Sequence, residues 1–433
     1  MDDDRATWLR LTLLGVLSGV IAGLVVLAFR STIAAGQVWL LPPGPVGNYE
    51  ALPYWARIAL PLAAGLVLGL IFDNIPREAR DVGIVHVVRR LQSPSLQRLP
   101  PANMLTQFFG AVVAIIGGHS VDREGPAVHI GAASASFIGQ RMHGSTEEDI
   151  TLVACGAAAA IAAAFDTPLA GVVFVIEVLR LRYQVSRYLP VIIAAVTAAV
   201  ISRLLHLTEA GFSVSPEYLV NTWEFGGPLA LGIATGVLAL LLIGLAERVA
   251  LATMRWPATL TFALAGLLTG LLALWTPHIM GTSYDTLQRL LQGEGDLIMV
   301  VALMSTKLIA SGCAVGLRVP GGIIGPTLFI GCAAGSALGL ALFLLVPGET
   351  ASPGFYATIG MAAMMGATLR APLAALTALL ELTANPNIIL PAMLAVATAE
   401  LVTRLVRGQK SVFDVLADVH TRADTVSRRP TIG

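Results

Sequence analysis

The chain has 433 residues, of which 27 are Lys or Arg and 27 are Asp or Glu, so that its formal net charge is zero. Only 12% of the residues are charged and 56% are hydrophobic, whereas soluble domains carry about 25% charged residues. This composition predicts an integral membrane protein. It excludes disordered, nucleic-acid-binding and disulfide-rich secreted proteins.

Apolar segments long enough to enter or cross a bilayer recur along the chain, and no alternation typical of strands accompanies them. We therefore predict an all-α polytopic protein. Several segments are short or interrupted by Gly-Pro or Thr-Pro, which favours half-helices. The segments lie near 8–29, 53–72, 103–118, 126–142, 151–183, 187–206, 228–251, 257–276, 297–316, 323–346, 355–382 and 386–406.

The N-terminus, the arginine-rich connections and the cysteines each support a further prediction. The acidic N-terminus lacks the features of a signal peptide, so 8–29 is expected to be a retained span. Arginines concentrate in 73–102 and in the C-terminal tail, and the positive-inside rule puts both on the cytoplasmic side. Cys155, Cys313 and Cys332 show no metal-ligand spacing and are expected to be small buried side chains.

The chain contains an internal repeat. Residues 125–139 (GPAVHIGAASASFIG) match 325–339 (GPTLFIGCAAGSALG) at seven of fifteen positions, 200 residues apart. A second block, 155–177, matches 359–381 at a spacing of 204. We predict a first repeat at 1–206, a linker at 207–227, a second repeat at 228–412 and a short tail at 413–433 without a regulatory domain.

Duplicated, broken apolar segments are typical of transporters and related channels, in which half-helix N-termini meet near the membrane midplane. A helix N-terminus presents free N–H groups and its positive dipole end to an anion. Proline favours the first turn of a helix, so Gly125-Pro126 and Gly325-Pro326 predict two symmetric helix starts. We interpret them as an anion path between the repeats. The alternative is ordinary Gly-Pro punctuation of membrane spans.

These blocks resemble the CLC family of chloride channels and proton-coupled chloride exchangers, as a divergent prokaryotic-type member. The run 122–126 (DREGP) is similar to the family's GREGP motif, and 322–326 (GIIGP) is similar to GxFxP. The resemblance implies homodimers with one anion pathway per subunit, built from two inverted repeats. It also implies that Glu124 is the gate. An isolated membrane carboxylate marks function independently of the family, and the alternative is a helix-start charge paired with Arg123.

Several positions depart from the family pattern. The serine of the family's GSGIP motif is replaced by Val82, and the inner tyrosine falls at Val412, with Phe413 as the neighbouring option. The central site would then depend on backbone N–H groups in an apolar throat, which puts chloride selectivity in doubt. The candidate anion-binding residues are Val82, Gly83, Ile84, Arg123, Gly125, Ile323, Ile324, Gly325 and Val412.

Val178 stands where the exchangers carry their inner proton-transferring glutamate. Valine there resembles the channel members and predicts weak proton coupling, since a proton route through a membrane needs a relay of ionisable side chains. Glu177 is a possible substitute acid. Its repeat mate Glu381 favours a shared structural role instead.

Other groups of polar residues in the sequence give weaker indications of function. His119, Asp122, Glu124 and His129 lie close in sequence, but their spacing is poor for a metal site, and no metal or cofactor is expected. An enzyme is not expected because GxSxG and HExxH are absent and Ser134–His129 lacks a third partner. The segment 281–296 is expected to be a solvated loop. Lys307 and Arg318 are candidates to attract anions towards the pathway.

We therefore expect a CLC-type anion transport protein of the cell membrane (a bacterial inner membrane or its equivalent) with a cytoplasmic tail. Channel-like or weakly proton-coupled transport is favoured. A proton/anion antiporter is the alternative, and a non-conducting anion sensor is a more distant one. Chloride, nitrate, bicarbonate and fluoride all remain candidate anions. The expected partners are the anion, protons if transport is coupled, the lipid bilayer and a second copy of the chain, without nucleic acid.

Overall fold

The structure is a computed structural model that describes residues 2–92, 98–142, 145–181, 185–205, 212, 221–346 and 350–427. The first repeat contains α1 (Asp2–Leu40), α2 (Tyr54–Asn74), α3 (Gly83–Gln92), α4 (Pro101–Ile116), α5 (Glu124–Arg141), α6 (Thr146–Phe165), α7 (Pro168–Glu177) and α8 (Val185–Leu204). The second contains α9 (Gly226–Thr253), α10 (Ala258–Leu272), α11 (Tyr284–Leu291), α12 (Leu297–Gly316), α13 (Ile324–Leu345), α14 (Pro353–Leu369), α15 (Pro372–Thr383) and α16 (Ile389–Arg407). A last helix, α17 (Val412–Ser427), follows.

This architecture confirms the predicted all-α membrane fold. Eight of the described helices are long and apolar enough to cross a membrane, while others, including α7 and α15, are too short to do so alone. Extended pairing within the described residues is confined to one isolated bridge between Asp122 and Gly322. Most of the predicted linker at 207–227 lies outside the described residues.

Helix packing follows the internal repeat. In each repeat the first helix packs against the last, α1 against α8 and α9 against α16. The central pairs α5–α6 and α13–α14 correspond in the same way. The two repeats meet through α2 against α10 and α7 against α15.

Glycines allow the central helices to cross closely at equivalent points. An added Cβ on Gly131 would lie 2.5 Å from the Gly156 carbonyl oxygen, and one on Gly156 would lie 2.1 Å from the Gly131 oxygen. In the second repeat, an added Cβ on Gly331 or Gly360 would lie 2.2 Å from the oxygen of the other. The repeated glycines therefore set the close approach of α5 to α6 and of α13 to α14.

Two predicted segments are each broken into two helices. The segment 151–183 contains most of α6 and all of α7, and 355–382 contains most of α14 and α15. Asp166 and Arg370 end the leading helices in the left-handed region, with φ of 57° and 58°. Pro168 and Pro372 follow, and a proline disfavours helical backbone in the residue before it.

Two charged connections contain short helices that the sequence did not predict. The prediction of a solvated loop at 281–296 is wrong, because α11 buries Leu287, Leu290 and Leu291 against the core. The segment 73–102 likewise contains α3, which buries Ile84, Val87 and Val88. Cys155 and Cys332 are buried as predicted, whereas Cys313 is only partly buried.

Candidate functional site

The starts of α5 and α13 meet between the two repeats. The turns that lead into them are hydrogen-bonded in the same way: His119 N–H donates to the Ala114 carbonyl (3.1 Å), and Val319 N–H donates to the Ala314 carbonyl (3.0 Å). These helices begin two residues before Pro126 and Pro326, which confirms the predicted helix starts.

The two turns are joined directly to each other. The Asp122 N–H donates to the Gly322 carbonyl (3.3 Å), and the Gly322 N–H donates to the Asp122 carbonyl (3.2 Å). This short antiparallel bridge fixes the N-terminus of α5 against that of α13. Because α5 and α13 belong to different repeats, this helix junction lies at the interface between the repeats.

The Asp122 side chain connects both helix starts. Its Oδ1 accepts from the Gly125 N–H (2.9 Å), and its Oδ2 accepts from the Gly325 N–H (2.5 Å). Asp122 is completely buried. Aspartate stands where the family's GREGP motif has its first glycine, and nothing in the sequence shows that its carboxylate reaches the second repeat.

Glu124 lies beside this junction, and its carboxylate is held by a neighbouring residue. Its Oε1 accepts from Arg123 Nε and its Oε2 from the Arg123 N–H, both at 3.2 Å. The Arg123 guanidinium stacks 5.1 Å from the centre of the Tyr284 ring on α11. Tyr284 also lies close to Glu124. The sequence does not identify this tyrosine, because the charged residues of 281–296 predict a loop instead of α11.

A cavity of about 830 Å³ reaches the helix junction from one side. We call it the main cavity. Gly125, Gly322 and Ile323 lie at the junction, and α3 and α17 supply other parts of its wall. Its charged and titratable lining residues are Arg77, Arg80, Arg89, Arg255, Arg318, Asp73, Asp81 and His420.

The main cavity brings together part of the predicted anion-binding set. Val82, Gly83 and Ile84 line it, together with Gly125 and Ile323. Gly83, the first residue of α3, has a φ of 80°, a conformation that glycine adopts without strain.

The remaining predicted residues are placed differently. Arg123, Ile324 and Gly325 lie at the helix starts and do not line the main cavity. Of the two options for the inner tyrosine position, Phe413 lines the cavity, whereas Val412 is completely buried and does not.

The two cations singled out from the sequence occupy different settings. Arg318 lines the main cavity and donates to the carbonyls of Thr253 (3.2 Å) and Trp256 (3.1 Å). Lys307 is completely buried, and its Nζ donates to the Ile279 and Gly281 carbonyls and to Ser283 Oγ at 2.8–3.2 Å.

Glu177 and Glu381 form reciprocal contacts between the repeats. The Glu177 carboxylate accepts from the N–H groups of Leu373 (3.1 Å) and Ala374 (2.8 Å) at the start of α15. The Glu381 carboxylate accepts from those of Leu169 (3.0 Å) and Ala170 (2.8 Å) at the start of α7. Each glutamate thus caps the short helix of the other repeat.

The lost proton-glutamate position lies away from the helix junction. Val178 and Glu177 line a second cavity of about 980 Å³. Its wall also includes Arg180, Arg370 and Asp414. These two residues therefore line a different cavity from Gly125 and Ile323, two of the predicted anion-binding residues.

The histidines weighed as metal ligands point to different partners. His129 Nε2 lies 3.0 Å from His86 Nδ1 on α3, and His119 Nε2 lies 3.4 Å from the Phe262 carbonyl. Among the described residues, no group of three or more His, Cys, Asp and Glu side chains is arranged to hold a metal ion.

Known proteins share this sequence pattern and fold. The family profile described as voltage gated chloride channel matches residues 64–404. A ClcB-like chloride channel protein from Ralstonia nicotianae is 33% identical over 426 residues, covering 96% of this chain and 98% of the relative. The voltage-gated ClC-type chloride channel ClcB of Escherichia coli O81 is 29% identical over 404 residues, covering 91% and 96% respectively.

Solved structures with the same fold come from transporters. A slow cyanobacterial Cl⁻/H⁺ antiporter superposes with a TM-score of 0.82 at 22% identity, covering 97% of this chain and 99% of the other. A CLC-type fluoride/proton antiporter gives a TM-score of 0.76 at 21% identity, covering 94% and 97% respectively. This family is one of transporters and channels rather than enzymes, and the chain is a multi-pass member of it. The profile match over most of the length, together with the relative that is one-third identical, shows that the chain belongs to the CLC family of voltage-gated chloride channels.

Proposed function

We propose that this protein carries chloride-class anions across the membrane along a path between its two repeats. The observation that carries the proposal is the convergence of the Gly125 and Gly325 N–H groups on one carboxylate, that of Asp122. Two helix N-termini that bind one anionic group supply the donors that a permeating anion needs. The Asp122 carboxylate marks the position of these donors.

The main cavity supports an approach route to that position. Five arginines and two aspartates contribute to its lining. A concave, predominantly cationic surface raises the local concentration of anions. Arg318 belongs to this surface, as the sequence prediction requires. By the positive-inside rule the cavity opens to the cytoplasm.

Glu124 is the proposed gate. It is only 1% exposed and is held by Arg123 beside the helix junction. Protonation would weaken its charge-assisted contacts with Arg123 and free the side chain to move. The same Arg123 contact also fits the alternative of a fixed helix-start charge, so a neutral variant must distinguish the two.

We propose atypical anion selectivity for the throat. Val82 lines the main cavity where a hydroxyl donor was expected from the family pattern, and Phe413 adds another apolar wall. Selection would then depend on the dehydration cost of the anion and on backbone donors. Chloride is the first candidate because the sequence relatives are named as chloride channels. Fluoride stays among the candidates, since one structural relative is named as a fluoride/proton antiporter.

Transport is proposed to be channel-like or weakly coupled to protons. Val178 has no ionisable side chain that could bind a proton. Both Glu177 oxygens accept hydrogen bonds from N–H groups at the start of α15. Antiport remains the second candidate, favoured by the buried His86–His129 contact, which offers titratable groups between α3 and α5. We further propose a homodimer in the cell membrane with α17 on the cytoplasmic side.

The test uses the full chain in liposomes, with a chloride electrode and a pH electrode recording together. Glu124→Gln mimics the protonated carboxyl and should raise chloride efflux or remove its pH dependence. Glu294→Gln is the matched control, since Glu294 pairs with Arg289 at the surface (3.0 Å). Unchanged pH dependence in Glu124→Gln would place the gate elsewhere. Proton pumping by the wild type that Glu124→Gln abolishes would make this an antiporter.

A further inference from the structure

Asp122 occupies the donors at the repeat interface, and Glu124 does not. Both oxygens of Asp122 accept from helix-start N–H groups, one from each repeat. The oxygens of Glu124 accept from Arg123. The group that an incoming anion meets at Gly125 and Gly325 is therefore the Asp122 carboxylate.

The surrounding backbone is shaped to admit this side chain. A Cβ added to Gly322 would lie 1.8 Å from Asp122 Oδ1, and one added to Gly325 would lie 2.7 Å from Asp122 Cβ. Gly322 is also the repeat mate of Asp122, 200 residues later in the chain. The second repeat thus leaves space for a carboxylate that only the first repeat provides.

The position of the carboxylate beside the proposed route follows from two neighbouring glycines, Gly125 and Gly322. The Gly125 N–H donates to Asp122, and Gly125 and Gly322 both line the main cavity, although Asp122 itself is fully buried. Glu124 and Lys307 lie close enough to Asp122 to act on it electrostatically, and the Arg123 side chain pairs with Glu124. A second negative charge beside Glu124 repels an anion, and Lys307 offsets only part of that repulsion.

We propose that Asp122 is a tethered anionic ligand that competes with the transported anion for the Gly125 and Gly325 N–H groups and so sets anion affinity. The inference rests on the proposed transport function. An anion reaching these donors must displace the carboxylate or bind next to it. The protein should therefore bind halides weakly at this position until the Asp122 charge is removed.

Two variants test the inference in the full chain. Asp122→Asn keeps the size of the side chain without its charge, and Asp122→Gly copies the repeat mate Gly322 and opens the space. Chloride binding is measured by titration calorimetry on the detergent-solubilised protein, with unfolding temperature as a separate readout of the fold. We expect chloride affinity to rise at least tenfold in Asp122→Asn and by as much or more in Asp122→Gly.

A purely structural role predicts a different pattern. If both variants fold and bind chloride as the wild type does, or more weakly, Asp122 is a clamp between the repeats and the inference is wrong. The inference is also wrong if both neutral variants lose the fold while Asp122→Glu, which keeps the charge, retains it.

The failure of the underlying function is distinguishable from the failure of this inference. If neither the wild type nor any Asp122 or Glu124 variant moves chloride, nitrate or fluoride in liposomes, the transport function itself fails. If the wild type moves anions and the Asp122 variants bind chloride with unchanged affinity, only the role of Asp122 fails.

Discussion

The reciprocal caps of Glu177 and Glu381 predict that both residues stabilise the fold to a similar extent and that neither carries protons. Each carboxylate accepts two N–H groups at the start of the short helix in the opposite repeat, at 2.8–3.1 Å. Those N–H groups lie in the first turn and have no partner within their own helix. Removing either carboxylate should therefore loosen the contact between α7 and α15.

The size of the effect follows from the bonds lost. A hydrogen bond to a charged group contributes about 1.5–3 kcal/mol, and loss of a helix cap costs about 0.5–2 kcal/mol. Both glutamates are partly exposed, and solvent reduces the electrostatic contribution. We expect about 2–4 kcal/mol of lost stability for Glu177→Ala. Glu177→Gln should lose about half as much, because the amide oxygen still accepts one N–H.

The assay is unfolding of the purified protein in mixed micelles, with proton uptake in liposomes measured on the same variants. Glu381→Ala and Glu381→Gln are the matched controls, and they should reproduce the stability loss within about 1 kcal/mol because the geometry is the same. A variant Glu177→Gln with normal stability and no proton movement, beside a Glu381→Gln that moves protons normally, would refute the structural role. It would identify Glu177 as the substitute acid.

Three further predictions concern other parts of the protein. Val82→Ser restores a hydroxyl to the main cavity and should shift selectivity towards chloride over nitrate and thiocyanate, measured as relative efflux from liposomes; an unchanged ratio would show that backbone donors determine it. Gly156→Ala and Gly360→Ala each push a methyl against a carbonyl oxygen and should cost about 1–3 kcal/mol in unfolding measurements, so a neutral result would contradict the close crossings. Val178→Glu should increase proton movement driven by a chloride gradient, and no change would mean that the route to Glu124 is interrupted elsewhere.

Sequence periodicity and repetition were sufficient to predict the membrane class, the all-α fold and the two helix starts. Gly125-Pro126 and Gly325-Pro326 each combine a small residue with one that favours the first turn, so local chemistry determines the helix start. Short amphipathic helices were harder to predict. In α11, Asp285 and Arg289 alternate with leucines that face the core. These charged residues favour a solvated loop when the sequence is considered alone.

The candidate site was only partly predictable for a different reason. Which residues line a cavity depends on packing between distant helices, so the choice between Val412 and Phe413 could not be made from spacing alone. The reach of the Asp122 carboxylate to Gly325 depends on a backbone bridge between residues about 200 positions apart. A period or motif within one repeat carries no information about that contact.

Residues that are the same in both repeats and residues that differ between the repeats have separate roles in this structure. The crossing glycines and the two capping glutamates are duplicated, and their contacts hold helices together in both repeats in the same way. The charged groups at the junction are not duplicated. Four pairs at the junction, each 200 residues apart, combine a charged residue with an uncharged one: Asp122 with Gly322, Arg123 with Ile323, Glu124 with Ile324, and Lys307 with Gln107.

This asymmetry has an electrostatic reason. Copying Asp122 and Glu124 into the second repeat would place four carboxylates around one junction, where Coulomb repulsion between buried like charges is strong. A single set, with Lys307 as a nearby cation, leaves the N–H groups of both helix starts directed at one anionic group. A duplicated scaffold with an unduplicated set of charges therefore supports the proposal of one anion position between two helices, rather than one position in each repeat.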